Sequence, residues 1–224
     1  MRRAKIDHEN LKWFDPRDNK NLEIRGLYWF NKEIRYHRFP LSMENAVRES
    51  LVQLASCTSG GQMRFRTDST RIIISVTNTG CTGYPTMAEV GRRGFDLYTG
   101  APGKEVFWNS ALPVAGEKSY AASLFTHKER KMRDFTLNFP LYCGVEEVLI
   151  GIDADSELLP PQELAVKAPV VIYGTSITQG GCASRPGSAF TNRLSRKLQC
   201  EFLNFGFSGQ GKNDAEIAEL LTTI

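Results

Sequence analysis

The sequence of 224 residues lacks a long apolar run and lacks a strong excess of charge of one sign. No apolar run approaches the length of a membrane span. A net charge of +3 gives no reason to expect a nucleic-acid or acidic-membrane partner. The basic start Met1–Arg3 is followed by charged residues, where a signal peptide needs an apolar stretch. We therefore expect a cytoplasmic chain with no membrane and no nucleic-acid partner.

Cysteine and histidine are both scarce. The five cysteines are odd in number, scattered and free of any C-x-x-C pair: Cys57, Cys81, Cys143, Cys182 and Cys200. This pattern predicts reduced thiols of a cytosolic chain, and it argues against a disulfide framework or a zinc site. The histidines His8, His37 and His127 have no cysteine or carboxylate at ligand spacing. We expect them to be surface or satisfied strand residues, and we expect no metal or organic cofactor.

The first two-thirds of the chain has the pattern of an antiparallel β-sandwich, which we place at residues 1–152. Short strand candidates alternate with glycine and proline turn signals, as in other all-β domains. The candidates are Gly94–Thr99, Glu105–Asn109, Ser119–Thr126, Phe135–Phe139 and Glu147–Ile152. With 41% apolar residues the chain can build a core, and its length suits one large or two modest domains.

Two further stretches of this region are predicted as hairpins. Residues 26–39 would turn at Asn31 and Lys32, and residues 62–79 would turn around 67–70. Only Met43–Ala55 has helical spacing of its apolar residues. The tryptophans Trp13, Trp29 and Trp108 are expected in the core rather than on a sugar-binding platform.

The pattern changes after residue 152. Residues 153–168 are acidic and proline-containing without an apolar period, and we interpret them as a linker. Residues 169–224 then alternate strand, loop and helix. A strand-helix-strand unit of this length makes parallel neighbours with a right-handed crossover. The sequence thus predicts an α/β multidomain protein, in which a β-sandwich precedes the start of a parallel, doubly wound α/β domain.

Ser176 is the candidate nucleophile of this second part. It lies two residues after Gly174, which ends the apolar β-branched run from Val170 to Tyr173. In open α/β sheets ligands bind beyond the carboxyl ends of the strands. A serine- and threonine-rich turn at a strand end is the alternative interpretation. The parallel strand 201–205 would bring Gly209 beside Ser176, where the backbone N–H groups of Gly209 and Ser176 could stabilise an oxyanion. Ser208 is a rival nucleophile that ranks below Ser176.

The motifs together resemble a known family. Residues 174–187 (GTSITQGGCASRPG) and 204–209 (NFGFSG) are similar to the first and second blocks of the SGNH hydrolases, the GDSL-like esterases. Residues 94–98 (GFDLY) are similar to the GxDLY signature of a β-sandwich domain that precedes one SGNH subgroup. The resemblance covers nearly the whole chain, from about Trp13 onward.

This resemblance implies a serine esterase with a Ser–His–Asp triad and no cofactor. Ser176 matches the nucleophile and Gly209 the second-block oxyanion donor. The family's Asp and His belong to a D-x-x-H motif that we expect beyond residue 224, so the chain is expected to be truncated or part of a longer protein. The expected reaction removes a small acyl group, such as acetyl, from a carbohydrate or similar alcohol. The alternative is a non-catalytic carbohydrate-binding sandwich with an α/β remnant. A homo-oligomer is left open.

Overall fold

The computed structural model describes residues 9–224. Met1–Arg3 and His8 lie outside the described residues. The strands in this range are β1 Leu11–Phe14, β2 Glu23–Arg25, β3 Gln62–Thr67, β4 Arg71–Cys81, β5 Phe95–Thr99, β6 Val106–Ala111, β7 Ser119–Thr126, β8 Arg133–Asn138, β9 Cys143–Asp153, β10 Leu158–Leu159, β11 Val166–Gly174 and β12 Cys200–Gly206. The helices are α1 Phe30–Glu33, α2 Glu49–Ala55, α3 Glu89–Arg93, α4 Ser176–Gln179, α5 Phe190–Leu198 and α6 Ala215–Leu221, with 3₁₀ turns at Leu41–Met43 and Pro186–Ser188.

Two antiparallel sheets build the first part of the molecule. One has the strand order β1-β9-β4-β7 and the other β10-β3-β8-β5-β6, with β2 also paired to β3. Alternating side chains of the two sheets meet in one core, in which Ile72 and Ile74 of β4 pack with Phe135 and Leu137 of β8. Alternation places one face of each strand against the partner sheet. The predicted antiparallel architecture is confirmed.

The predicted hairpin at residues 26–39 is wrong. The segment contains the short helix α1, which ends at Ile34 in the left-handed conformation (φ 55°). Phe30 and Tyr36 stack on each other with ring centroids 5.0 Å apart, and Tyr36 also packs on Phe139 of the sandwich core. The aromatic residues that imitate a strand pattern are therefore buried by tertiary packing, without pairing to a neighbouring strand.

The predicted hairpin at residues 62–79 is also wrong, although both of its strands exist. β3 and β4 belong to different sheets, so the segment between them is a corner of the sandwich. Asp153, at the end of β9, holds this corner. One carboxylate oxygen accepts hydrogen bonds from the Thr70 amide and hydroxyl at 2.8 and 2.7 Å, and the other accepts one from Arg71 Nε at 2.7 Å.

The expectation of five reduced thiols is wrong as well. Cys81 and Cys143 form a disulfide between the paired strands β4 and β9, while Cys57, Cys182 and Cys200 are free. The two cysteines are opposite each other in the register of this strand pair. Their separation of 62 residues hides this proximity in the sequence. The helix predicted at Met43–Ala55 is confirmed only in its second half, as α2.

The second part of the molecule is a parallel pair of strands, β11 and β12, with residues Gly174 and Gly206 opposite each other at its carboxyl end. β11 is not buried on both faces, as a strand inside a complete parallel sheet would be. Val166 and Val170 are 45% and 39% exposed. Within the described residues β11 pairs only with β12, so its other edge and part of its surface face solvent.

The segment predicted as a linker, 153–168, is structured at both ends. β10 pairs with β3 and adds an edge strand to the sandwich, and β11 already begins at Val166. None of the helices between residues 9 and 224 combines the length and apolarity that a membrane crossing needs.

A second apolar core joins the two parts. Phe205 and Phe207 from the β12 strand and loop, together with Ile217 and Leu220 of α6, pack on side chains from residues 29–55: Trp29, Phe39, Met43, Leu51, Leu54 and Ala55. The apolar face of α6 is therefore covered by the segment between β2 and β3.

Candidate functional site

The loops that follow β11 and β12 lie side by side at the carboxyl end of the parallel pair. The Phe207 amide donates a hydrogen bond to the Gly174 carbonyl at 2.9 Å, which fixes the second loop against the end of β11. Packing is tight here because a Cβ on Gly206 would lie 2.1 Å from the Gln179 nitrogen. The first loop carries Ser176 and the second carries Gly209, as the parallel topology requires.

Ser176 is the first residue of helix α4 and is partly exposed. Among residues 9–224 its hydroxyl has no hydrogen-bond partner. Its backbone N–H lies in the first turn of a helix, where amides have no acceptor within the helix. The next residue, Ile177, is 78% exposed, so this turn faces solvent. Ser176 thus offers an accessible hydroxyl and an unused amide at the sheet edge.

Gly209 lies in the left-handed conformation at φ 68° and is exposed. The amides of Gln210 and Gly211 close the turn by donating to the Phe207 carbonyl at 2.9 and 3.1 Å. The Gly209 amide has no such partner within residues 9–224. A Cβ added at Gly209 would meet nothing within 4 Å, so the turn is open on its side-chain side. An amide without an acceptor in the protein can donate to a bound oxyanion.

Gln179 connects the two loops, and sequence analysis did not single it out. Its side chain is completely buried. The side-chain oxygen accepts a hydrogen bond from the Ser208 amide at 2.9 Å, and Nε2 donates to the Leu141 carbonyl at 3.1 Å. The Ser59 hydroxyl donates to the Gln179 carbonyl at 2.5 Å. Ser59 and Leu141 lie in the first part of the chain, so both site loops are hydrogen-bonded to the sandwich.

Tyr142 reaches the same place from the sandwich. Its ring is buried, and its hydroxyl donates to the Ser176 carbonyl at 3.2 Å. Burial raises the pKa of Tyr142. Tyr142 remains a neutral donor at physiological pH.

Arg38 lies under the second loop as a fully buried cation. It donates to the carbonyls of Cys57, Asn204 and Gly206 at 2.7, 3.0 and 2.6 Å and to that of Leu54 at 2.5 Å. Its guanidinium also lies 4.6 Å from the centre of the Phe207 ring. Burial lowers the pKa of Arg38 to about 10, so it is charged at neutral pH. Carbonyl dipoles and the aromatic face replace a carboxylate partner and fix the end of β12.

Asp96, the acid of the GFDLY segment, holds the loop that follows Ser176. Its two oxygens accept hydrogen bonds from the Gly187 amide and from Asn138 Nδ2, both at 2.9 Å. Arg185 Nε lies 3.4 Å away. Burial raises the pKa of Asp96 to about 6 despite these donors. This signature residue therefore contacts the α/β part, and nothing in its spacing predicts that contact.

The described histidines lie elsewhere in the molecule. His37 is buried, and its Nδ1 lies 3.1 Å from the Phe39 carbonyl oxygen. Burial lowers the pKa of His37 to about 4, and the nearby charge of Arg35 lowers it further. His127 Nδ1 accepts from the Glu129 amide at 3.0 Å. Neither is hydrogen-bonded to Ser176. No group of three or more potential metal ligands occurs among residues 9–224.

The tryptophans are mainly packing residues. Trp29 is buried in the second core. Trp13 lies against Gly151, where a Cβ would be 3.0 Å from its ring. Trp108 is 39% exposed and packs on Phe125 with ring centroids 4.8 Å apart.

Residues 11–158 match the family model named GxDLY and described as the N-terminus of SGNH-hydrolase-type esterases. The chain belongs to this family. Residues 167–224 match the GDSL-like Lipase/Acylhydrolase family. The two matches meet in the segment between β10 and β11. No curated protein matches the sequence significantly.

Solved structures agree with this assignment. A Bacteroides ovatus protein assigned to the GDSL-like lipases has a TM-score of 0.86 at 28% identity, over 96% of this chain and 62% of its own. The salicylyl-acyltransferase SsfX3 of a tetracycline biosynthetic pathway has a TM-score of 0.69 at 14% identity, over 97% of this chain and 60% of its own. A family two carbohydrate esterase from Cellvibrio japonicus has a TM-score of 0.50 at 10% identity, over 91% and 56%. The second and third share the fold. The chain thus spans less than two-thirds of the length of these proteins.

Proposed function

We propose that the protein is a serine esterase of the SGNH type, in which Ser176 is the nucleophile and the amides of Ser176 and Gly209 form part of the oxyanion hole. The observation that carries the proposal is the placement of a free hydroxyl and two unused amides on adjacent loops at one sheet edge. Membership in a family of ester hydrolases supports it.

The chemistry proceeds through an acyl-enzyme. Ser176 Oγ forms a bond to the ester carbonyl carbon while its proton passes to a general base. The carbonyl oxygen becomes an oxyanion, which accepts hydrogen bonds from the Ser176 and Gly209 amides. Collapse of the intermediate breaks the bond to the alcohol, which leaves with the proton from the base. Water then attacks the acyl-enzyme carbonyl carbon while the base takes its proton. Collapse of this second intermediate breaks the bond to Ser176 Oγ, which regains the proton from the base, and the acid is released.

The base and its carboxylate partner belong to a D-x-x-H motif that we place outside residues 9–224. His37 and His127 are committed to other contacts, and the Ser176 hydroxyl has no partner within the described range. We propose that the substrate is a small acyl ester, such as an acetyl ester, of a carbohydrate or similar alcohol. Ser176 on an open, partly exposed turn can receive an ester group carried on a bulky alcohol.

Hydrolysis of p-nitrophenyl acetate tests the assignment. Residues 1–224 should turn over barely above background, because an unassisted serine hydroxyl stays protonated and is a weak nucleophile. A form extended through a D-x-x-H motif should be active, and Ser176→Ala should abolish that activity. Ser184→Ala, on an exposed part of the same loop, is the matched control and should keep it.

Labelling the nucleophilic serine of the active, extended form with a fluorophosphonate, which forms a phosphonyl-serine with loss of fluoride, and sequencing the labelled peptide separates Ser176 from the rival Ser208. Label on Ser208, or activity that survives Ser176→Ala, would contradict the assignment. An inactive extended form that binds oligosaccharides by titration calorimetry would favour the binding-module alternative. A panel of acetyl, butyryl and octanoyl esters, followed by acetylated sugars, then defines the acyl group and the alcohol.

A further inference from the structure

The hydroxyl of Tyr142 is a direct side-chain link between the sandwich and the turn that carries Ser176. Because a carbonyl oxygen can only accept, the Tyr142 proton is donated to the Ser176 carbonyl at 3.2 Å. The phenol thus contacts the backbone of the proposed nucleophile's own residue.

Tyr142 is itself held firmly. Its amide donates to the Arg92 carbonyl at 2.9 Å, and its carbonyl accepts from the Thr82 amide at 2.7 Å. Cys143, the next residue, is joined to Cys81 across the sheet. The ring packs in a small core with Met87, Leu141 and Ala189. A side chain fixed in this way can define the position of what it binds.

The Ser176 carbonyl is also fixed from within its own loop. The Gly181 amide donates to it at 2.7 Å, and so does the amide of Gly180. A Cβ on Gly181 would lie 3.0 Å from both the Ser176 carbonyl and the Tyr142 hydroxyl, so the loop closes directly on the phenol. Any movement of the phenol therefore changes the environment of these two amides.

We infer that Tyr142 is a positioning residue, whose hydroxyl fixes the Ser176 turn on the sandwich. The sandwich thereby acts as a template for the site. The catalytic consequence of this link rests on the function proposed above, whereas the link itself does not. A small displacement of a reacting group lowers the rate strongly.

Amide hydrogen exchange on residues 1–224 tests the link without any need for activity. Tyr142→Phe keeps the ring in its core and removes only the hydroxyl. We expect the amides of Gly180 and Gly181 to exchange about tenfold faster, since one hydrogen bond on an already fixed loop is lost. Exchange in the sandwich strands should be unchanged.

Tyr120→Phe is the matched control. Tyr120 is also a buried tyrosine of the sandwich, and its hydroxyl donates to the Arg93 carbonyl at 3.3 Å. This substitution should leave exchange in both site loops unchanged. Wild-type exchange in the loops of Tyr142→Phe, or a uniform increase over the whole molecule, would overturn the inference.

Kinetics of an active, extended form give the second measurement. Tyr142→Phe should lower kcat about tenfold and leave KM unchanged, because the two loops position the reacting groups and not the distant parts of the substrate. Tyr120→Phe should change neither constant. If the wild-type protein lacks Ser176-dependent turnover, the proposed function fails while the exchange result still decides the fate of the link.

Discussion

Asp96 and Asp153 are deeply placed aspartates whose pKa values shift in opposite directions. Burial raises the pKa of Asp96 to about 6, because its two hydrogen bonds do not replace the lost water. Burial also acts on Asp153, but the hydrogen bonds from Thr70, Arg71 and Ser69 outweigh it and hold the pKa of Asp153 at about 2. The number and charge of the hydrogen-bond donors therefore decide whether the pKa of a buried aspartate rises or falls.

Asp153→Asn should destabilise the protein by about 2 kcal/mol at pH 7, since an amide cannot accept all the hydrogen bonds that close the sandwich corner. The folded pKa lies below the ordinary value of 3.8, so the carboxylate stabilises the fold above that value and loses its effect as the pH falls toward about 2. Urea denaturation at pH 7 and pH 3 measures the difference. Asp155→Asn, whose side chain is 76% exposed in its pair with Arg130, should cost almost nothing. An equal loss in both variants would contradict the argument.

The pH dependence expected from Asp96 has the opposite sign. The folded carboxyl binds its proton more tightly than the unfolded one, with pKa values of about 6 and 3.8. The stabilisation from proton uptake is fully present below the unfolded value and is lost as the pH rises through about 6. Between pH 6 and pH 4 the free energy of unfolding should therefore rise by about 2 kcal/mol from this group. This rise in the free energy of unfolding should be missing from Asp96→Asn. If the wild-type protein and Asp96→Asn had the same pH dependence of unfolding, the raised pKa of Asp96 would be excluded.

At the residue scale, the sequence predicts the groups whose chemistry is local. Ser176 follows from its position after a strand-ending glycine, and Gly209 from the parallel strand beside it. Gln179, Tyr142 and Arg38 could not be predicted, because their roles depend on contacts with distant parts of the chain. Arg38, for example, donates to residues 54, 57, 204 and 206. The disulfide was missed for the same reason.

At the element scale, strands were easier to predict than their partners. The predicted strand Ser119–Thr126 has the bounds of β7, because alternation and turn residues are local signals. The pairing of β3 depends on β8 and that of β4 on β9 and β7, which only the folded sandwich determines. The aromatic residues around α1 resemble a strand in sequence but are buried by packing on other elements.

The helix α3 packs at Gly91 against the backbone of the loop after Ser176. A Cβ on Gly91 would lie 2.1 Å from the Ala183 carbonyl oxygen. Although alanine favours a helix by about 1 kcal/mol over glycine, the clash with backbone should dominate. We expect Gly91→Ala to destabilise by about 1–3 kcal/mol in a denaturant titration.

Gly80→Ala is the control for this substitution, because a Cβ at Gly80 meets nothing within 4 Å. It should change the free energy of unfolding by less than about 0.5 kcal/mol. If Gly91→Ala were as well tolerated as Gly80→Ala, the loop after Ser176 would be free to move away from α3, and the sandwich would not hold it.

At the scale of the whole molecule, the two family segments are one packed unit in this chain. Phe205, Ile217 and Leu220 share a core with Phe39 and Leu51. Arg25 and the Gly26 amide, from the first part, bind the Glu201 carboxylate at 3.0 and 2.7 Å. The parallel pair by itself leaves β11 half exposed and paired on one edge. The α/β part therefore buries the apolar face of α6 and the end of β12 against the segment between β2 and β3.

A fragment of residues 163–224, which keeps all of β11, should not fold alone. At about 60 residues it is near the lower limit for an unaided core, and a parallel pair needs cover on both faces. Removing the first part would expose Phe205, Phe207, Ile217 and Leu220 together, so we expect an unfolded or aggregated fragment by circular dichroism and sedimentation. Residues 1–224 serve as the folded reference under the same conditions. A cooperative melt of a monomeric fragment would show that β11, β12 and α6 form a stable domain without the first part of the chain. The template role of the sandwich would then be confined to the loops around Ser176 and Gly209.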